Sequence, residues 1–164
     1  MKIFFPNNFL SELNKCEISN IENNYPKISI VMPSYNQAQF IEKSILSILN
    51  QNYPNTELII IDGGSNDGTI DKIKKYEDKI KFWISEKDQG QSDALNKGFA
   101  RCTGDIYGWL NSDDVYLPNT FKNIASIFAK NIDKKIVFGD WLNIGIKNDI
   151  IDYHHAFDFN LNHF

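Results

Sequence analysis

Glu57-Leu-Ile-Ile-Ile-Asp-Gly-Gly-Ser-Asn-Asp-Gly-Thr69 sets the terms for the rest of the chain. Its first half is an unbroken apolar run, the pattern of a strand covered on both faces, and such strands belong to parallel sheets. Its second half is a turn rich in residues that tolerate positive φ. A short helix through Ile70 and Ile73 is expected to follow. Strand, polar exit loop and helix in that order are the grammar of an α/β sheet, because parallel strands need helical crossovers.

The same grammar extends in both directions. Upstream, Ile28-Ser-Ile-Val-Met32 between Pro26 and Pro33 predicts a first strand, and Pro33-Ser-Tyr-Asn36 predicts a turn. Phe40, Ile41, Ile45, Ile48 and Leu49 recur at helical spacing and predict a helix from about Ala38 to Asn50. Downstream, Ile80-Lys-Phe-Trp-Ile84 predicts a third strand with the exit loop Glu86-Lys-Asp-Gln-Gly90, then a helix marked by Ala94, Leu95, Gly98 and Phe99. Ile106-Tyr-Gly-Trp-Leu110 predicts a fourth strand ending in Asn111-Ser-Asp-Asp114, followed beyond Pro118 by a helix to about Lys130. Ile136-Val-Phe138 reads as a fifth strand, and Trp141 to Ile151 as a hairpin broken at Lys147-Asn148. Residues 1–26 show no sustained period and read as an irregular lead-in ending at Pro26.

Composition bounds the function. With 164 residues, 42% of them hydrophobic, the chain can build one domain with a core. A formal charge of −4 argues against a general binder of phosphate backbones, so nucleic acid is not an expected partner. Cys16 and Cys102 have no nearby Cys or His at ligand spacing, so neither a disulfide framework nor a zinc site is suggested, and a cytoplasmic setting is expected. The N-terminus lacks a signal-peptide core of sufficient length, and no apolar run approaches the roughly 18 residues that span a bilayer. Peripheral association with the cytoplasmic face of a membrane stays open.

In a doubly wound sheet the strand exits share one edge, which is where ligands bind. Asn36, Asp62, Asp88, Asp113 and Asp114 are therefore expected to converge. Asn, Ser and Asp also dominate turns and helix caps, which explains one such loop easily and four of them poorly. Several chemistries fail on their motifs. G-x-G-x-x-G and the P-loop pattern are absent, and Gly63 to Gly68 satisfies neither. Asp62 to Gly68 is no calcium loop, because Gly64 stands where a ligand is needed and Asp67 where glycine is. No G-x-S-x-G elbow occurs, and His154-His155 have no matching nucleophile. An acidic pocket without a phosphate cradle would repel a diphosphate unless a hard cation such as Mg²⁺ or Mn²⁺ stood between them.

Ile30-Val-Met-Pro-Ser-Tyr-Asn-Gln37, Ile59-Ile-Ile-Asp-Gly-Gly-Ser-Asn-Asp-Gly-Thr69, Glu86-Lys-Asp-Gln-Gly90, Ala94-Leu-Asn-Lys-Gly98 and Trp109-Leu-Asn-Ser-Asp-Asp114 together resemble family 2 glycosyltransferases. The motifs fall in the family's order from Lys27 to about Asp140. The resemblance implies an α/β GT-A (Rossmann-like) fold, mostly parallel and flanked by helices, of which this chain carries the donor-binding half. It divides the chain into the lead-in 1–26, a nucleotide-sugar-binding core 27–140, and residues 141–164 as the start of an acceptor-side half that stops short. It implies an inverting transfer from a UDP- or GDP-sugar to a hydroxyl of a carbohydrate or lipid-linked acceptor, in polysaccharide or glycoconjugate synthesis, assisted by Mn²⁺ or Mg²⁺.

Carried over by residue, the resemblance places Pro33, Tyr35, Asn36 and Gly63 in the nucleotide site, with Asp62 on the base. It places Asp88, Gly90 and Asp93 beside the nucleotide or sugar, with Gly90 allowing close backbone approach. Asp113 would face the ribose or sugar and share the metal with Asp114. Many relatives have Asp where this chain has Asn111, which shifts the metal onto Asp113 and Asp114. No residue is assigned as catalytic base; Asp140, Asp152, His154, His155 and Asp158 are the late candidates. Two other readings compete with a complete enzyme. One is a donor-binding fragment or degenerate module without turnover. The other, nucleotidyl transfer, would need a basic, glycine-rich loop after the first strand, where Pro33-Ser-Tyr-Asn-Gln37 offers none.

Overall fold

The computed structural model describes residues 25–131, 133, 135–145 and 149–156. The chain divides into two compact units, Met1–Ala129 and Lys130–Phe164. In the first, β1 (Ile28–Ser34), β2 (Thr56–Asp62), β3 (Phe82–Ser85) and β4 (Ile106–Trp109) form one sheet in the order β3-β2-β1-β4. All three pairings are parallel. The helices are α1 (Ile41–Leu49), α2 (Thr69–Lys74), α3 (Gln91–Phe99) and α4 (Thr120–Lys130), with a 3₁₀ turn at Glu77–Lys79. The chain winds outward from β1 to β3 and then crosses back to β4, so the direction of winding reverses between β1 and β4. An open parallel sheet binds its ligands beyond the strand ends at such a reversal.

The apolar run in β2 is divided between two faces by the period of two along a strand. Leu58 and Ile60 join Ile28, Ile30 and Met32 of β1 in a core closed by Ile41, Ile45 and Ile48 of α1, Ile73 of α2, and Phe121 and Ala125 of α4. Ile59 and Ile61 face the other way, onto Ala94 of α3. Helices therefore cover both faces. On the second face the packing is close enough that a Cβ at Gly98 would fall 2.3 Å from Val31 Cγ1.

At the opposite ends of the strands, Glu57 is buried and ties three segments together. It accepts from the Ser29 hydroxyl at 2.6 Å, the Thr103 backbone N–H at 2.6 Å and the Thr103 hydroxyl at 2.9 Å, and pairs with Lys27 Nζ at 2.6 Å. Burial pushes its pKa up, but Lys27, Ser29 and Thr103 together outweigh burial and bring it from 4.5 to about 2. This cluster fixes the loop that enters β4. On the other side of the sheet, Glu42 of α1 takes Lys72 and Lys75 at 3.1 and 2.5 Å and the Tyr76 hydroxyl at 2.7 Å, clamping α1 to α2.

Two expectations shift. Helix α1 begins at Ile41, because the Gln37 and Ala38 N–H groups donate to side chains across the loop, which keeps 38–40 a turn. The expected fifth strand, Ile136-Val-Phe138, lies outside both sheets, with Ile136 76% exposed. Apolar, β-branched sequence becomes a strand only where a neighbouring edge takes its backbone groups. The expected hairpin is present in the second unit as β5 (Trp141–Ile144) paired antiparallel with β6 (Ile150–His154); Lys147 and Asn148 lie outside the described residues. Residues 1–24 of the expected lead-in also lie outside them.

Gly98→Ala should gain about 0.5–1 kcal/mol of helix propensity but lose about 1–3 kcal/mol to overpacking against Val31. The net expectation is a lower urea midpoint, and an unchanged midpoint would refute the close packing of α3 on β1. Because the Glu57 pKa is lower in the folded chain, its contribution is full above pH 4.5 and is lost as pH falls through about 2. Glu57→Gln should therefore be less stable than wild type at pH 7, with the gap closing across that window in thermal melts.

Candidate functional site

The ends of β1, β2 and β3 stand in one register row, Ser34 beside Asp62 beside Ser85. Asp62 in that row has no exposed surface. Its Oδ2 accepts from Gly64 N at 3.0 Å, Ser65 N at 2.8 Å and the Ser85 hydroxyl at 2.7 Å, and its Oδ1 from the Ser65 hydroxyl at 2.5 Å. A buried carboxylate needs such donors. Asp62 is thus the internal brace of the β2 exit rather than an open acceptor.

The exit loops of β1 and β2 are laced together by further bonds. Asn36 N donates to the Ser65 hydroxyl at 2.7 Å, Asn66 N to Asn36 Oδ1 at 3.0 Å, Gln37 N to the Thr69 hydroxyl at 2.8 Å and Ala38 N to Asp67 Oδ2 at 3.0 Å. Asn36 takes φ 53°, a left-handed conformation that Asn tolerates. The Thr69 hydroxyl and the Ala38 N–H, with smaller help from the Thr69 N–H, hold Asp67 below the usual carboxylate range against the effect of burial. Much of Asp62-Gly-Gly-Ser-Asn-Asp-Gly-Thr69 is therefore scaffolding.

Above this scaffold lies a cleft of about 570 Å³ lined by Pro33, Ser34, Tyr35, Gln37, Gly63, Lys87, Asp88, Gly90, Gln91, Ala94, Asn111, Ser112 and Asp113. Tyr35 is 62% exposed and presents its ring at the rim. The buried Ser34 hydroxyl has no hydrogen-bond partner among the described residues. A Cβ at Gly63 would meet Asp88 Oδ2 at 2.9 Å, so this glycine lets the Asp88 carboxylate lie against the β2 exit. Gly90 has φ 104° and would present a Cβ to open space, so backbone conformation rather than close approach within the chain requires glycine there. Asp88 Oδ1 accepts from Gly90 N at 2.9 Å and braces that turn.

Of the residues expected from sequence, the cleft brings together Pro33, Tyr35, Gly63, Asp88, Gly90 and Asp113. Asn36 and Asp62 are not among the lining residues: Asp62 is fully buried and Asn36 is exposed, both in the bonds already described. Asp93 faces its own helix: it takes Gln89 N at 3.2 Å and Lys97 Nζ at 3.1 Å, and these two bonds lower its pKa. Asp114 stands beside the cleft, with Oδ2 accepting from Asn111 Nδ2 at 3.0 Å. The cleft adds Ser34, Gln37, Lys87, Gln91 and Ser112, which carry no individual signal in the sequence, although Ser34 and Gln37 adjoin Pro33, Tyr35 and Asn36 in the first motif. Lys87 is the one basic residue among the described lining residues.

Asp113 and Asp114 offer hard oxygen donors and no thiolate. Among the described residues no group of three or more His, Cys, Asp or Glu is placed to hold a metal. A pair of carboxylates suits Mg²⁺ or Mn²⁺ completed by water and phosphate oxygens, and does not suit an all-protein cage.

In the second unit, Asp140 accepts from the Tyr153 hydroxyl, from Ala156 N at 2.8 Å and lies 2.9 Å from His155 Nδ1. The Tyr153 bond, then the Ala156 bond, lower its pKa. His154 lies 3.2 Å from Asp152 and stacks on Trp141 at 4.8 Å. Asp158 lies outside the described residues. No described helix is long and apolar enough to cross a membrane.

The profile of Glycosyl transferase family 2 matches residues 29–164. An uncharacterized glycosyltransferase of Nostoc sp. is 38% identical over 106 residues, 62% of this chain and 33% of that protein. An uncharacterized glycosyltransferase of Haemophilus influenzae is 44% identical over 111 residues, 66% of this chain and 44% of that protein. The chain thus spans between a third and a little under half of the length of these relatives. Among solved structures, S. aureus TarS 1–349 in complex with UDP-GlcNAc superposes with TM-score 0.60 at 23% identity, covering 65% of this chain and 32% of that one. The mannosyltransferase PcManGT of Pyrobaculum calidifontis, in complex with GDP-Man and Mn²⁺, gives 0.59 at 22% identity over 79% of this chain and 39% of that one. These likenesses show the GT-A fold.

Proposed function

Because the chain belongs to glycosyl transferase family 2, we propose that its cleft holds the nucleotide-diphosphate part of a sugar donor. The full-length protein would move the sugar to an acceptor hydroxyl with inversion, in polysaccharide or glycoconjugate synthesis at the cytoplasmic face of a membrane. The observation that carries this reading is the cleft's position: it opens at the β1/β4 reversal, between the exposed Tyr35 ring and the Asp113 carboxylate, with Asp114 next in sequence. The complexes of TarS with UDP-GlcNAc and of PcManGT with GDP-Man and Mn²⁺ support it by analogy of fold.

On this reading Tyr35 covers the base, framed by Pro33, the unpartnered Ser34 hydroxyl, Asn36 and Gly63. Asp62 acts beneath the base by fixing the Gly64 and Ser65 N–H groups. Asp88, Gly90 and Asp93 shape the α3 side, where Lys87 offers the diphosphate a cation. Asp113 and Asp114 would hold Mn²⁺ or Mg²⁺, which supplies neutralisation of charge on the departing diphosphate. A carboxylate would deprotonate the acceptor hydroxyl as it attacks the anomeric carbon.

Isothermal titration with UDP and GDP, with and without Mn²⁺, tests donor binding by the chain itself. One of the two nucleotides should bind, more tightly with Mn²⁺. Loss of one aromatic stack is worth about 1–3 kcal/mol, so Tyr35→Ala should weaken that binding about tenfold. Binding of neither nucleotide, or full affinity in Tyr35→Ala, would count against this reading.

A further inference from the structure

Helix α1 turns Ile41, Ser44, Ile45 and Ile48 toward the core, and Ser44 among those isoleucines has no exposed surface. A hydroxyl in an apolar interior needs a partner. That of Ser44 donates to the Ser112 carbonyl at 3.0 Å. One turn on, the Ser47 hydroxyl accepts from Tyr116 N at 3.1 Å. Gln51, just past the helix, donates Nε2 to the Leu117 carbonyl at 2.9 Å and accepts at Oε1 from Phe121 N at 3.3 Å. Residues 110–119 form neither helix nor strand, so their backbone groups must be satisfied from outside. Ser44, Ser47 and Gln51, spaced three and four apart, do so from Ser112 to Phe121. None of these three side chains lines the cleft, whereas Asn111, Ser112 and Asp113 do.

We propose that Ser44 is a positioning residue for the cleft wall: acting from the core, it fixes the Ser112 carbonyl and thereby the direction in which Asp113, the next residue, presents its carboxylate to a nucleotide. This rests on the reading of the cleft as a donor site. Asp113 is exposed, so the backbone that carries it sets its direction. The peptide group joining Ser112 to Asp113 is planar, and its oxygen is the atom that Ser44 holds, which restrains the torsion entering Asp113. Neither helix propensity nor burial favours serine at position 44, where alanine is the better helix former and suits the apolar neighbours. The acceptor explains the hydroxyl. Ser112 is itself only 3% exposed, so Ser44→Ala leaves its carbonyl without this donor and the peptide turns to find another. Ser47 and Gln51 anchor the loop farther on, which confines the disturbance to the turn that carries Asp113.

The test is a double-mutant cycle on the 164-residue chain, with UDP and GDP titrated in the presence of Mg²⁺ and affinity read from amide NMR shifts. Ser44→Ala should weaken the nucleotide that binds about tenfold. In an Asp113→Asn background the same substitution should cost less than about twofold, because the carboxylate it positions is gone. A merely structural role would make the two losses multiply. Should Ser44→Ala fail to fold, Ser44→Cys, which keeps the size and weakens the donor, carries the same cycle. A full loss persisting in the Asp113→Asn background overturns the proposal, as does wild-type affinity in a folded Ser44→Ala chain. Binding of neither nucleotide overturns the donor reading instead. The ligand-free spectra then decide the role of Ser44: amide shifts should centre on Asn111 to Asp114, and shifts confined to α1 overturn it.

Discussion

The buried carboxylate of Asp62 is the interaction on which the cleft depends. It sits at the end of the central apolar strand with no exposed surface, and its charge is balanced by two backbone N–H groups and two hydroxyls. The Ser65 hydroxyl that donates to it accepts in turn from Asn36 N, which passes the constraint from the β2 exit to the β1 exit. Ser85 passes it to β3. A charge buried this way is costly to strand, because losing any one donor leaves it under-solvated in a low-dielectric site. Three of the four strand exits are therefore held as a unit before any ligand arrives, and preorganised polar groups are what a binding site for a charged ligand requires.

The β4 exit is tied in separately, through Gln91 and Asn111 at the cleft and through the Ser44 hydroxyl of α1, which donates to the Ser112 carbonyl at 3.0 Å. The two halves of the cleft therefore rest on different networks. The β1–β3 side is fixed by a buried carboxylate, whereas the β4 side is held by the Gln91–Asn111 amide bond at the cleft and by hydroxyls of α1.

The fold was legible because it follows from local patterns. The run Leu58 to Ile61 could only be a strand covered on both faces, and the alternation of apolar runs with polar exits implied parallel crossovers. Convergence of the exits followed from topology, and the structure places Pro33, Tyr35, Gly63, Asp88, Gly90 and Asp113 around one cleft. Less legible was the use to which each polar group is put. A pattern shows that Asp62 ends a strand, but not that four protein donors surround it. Asp67 and Asp93 likewise carry the right chemistry for a ligand and are engaged by Thr69 and Ala38, and by Lys97 and Gln89. The Gln91 to Asn111 bond joins residues 20 apart and has no local signature. Ile136 to Phe138 failed as a strand for a related reason, since strand formation is decided by a neighbour that sequence periodicity does not reveal.

The central claim is that the β1/β4 cleft is where a nucleotide sits. Its most direct test is a backbone amide NMR spectrum of the chain titrated with UDP and with GDP in the presence of Mg²⁺. The account predicts that shifts concentrate on Ser34, Tyr35, Gly63, Lys87, Gly90, Asn111 and Asp113, with the Glu57 end of the sheet unmoved. Shifts centred away from that cleft, or none with either nucleotide, would contradict it.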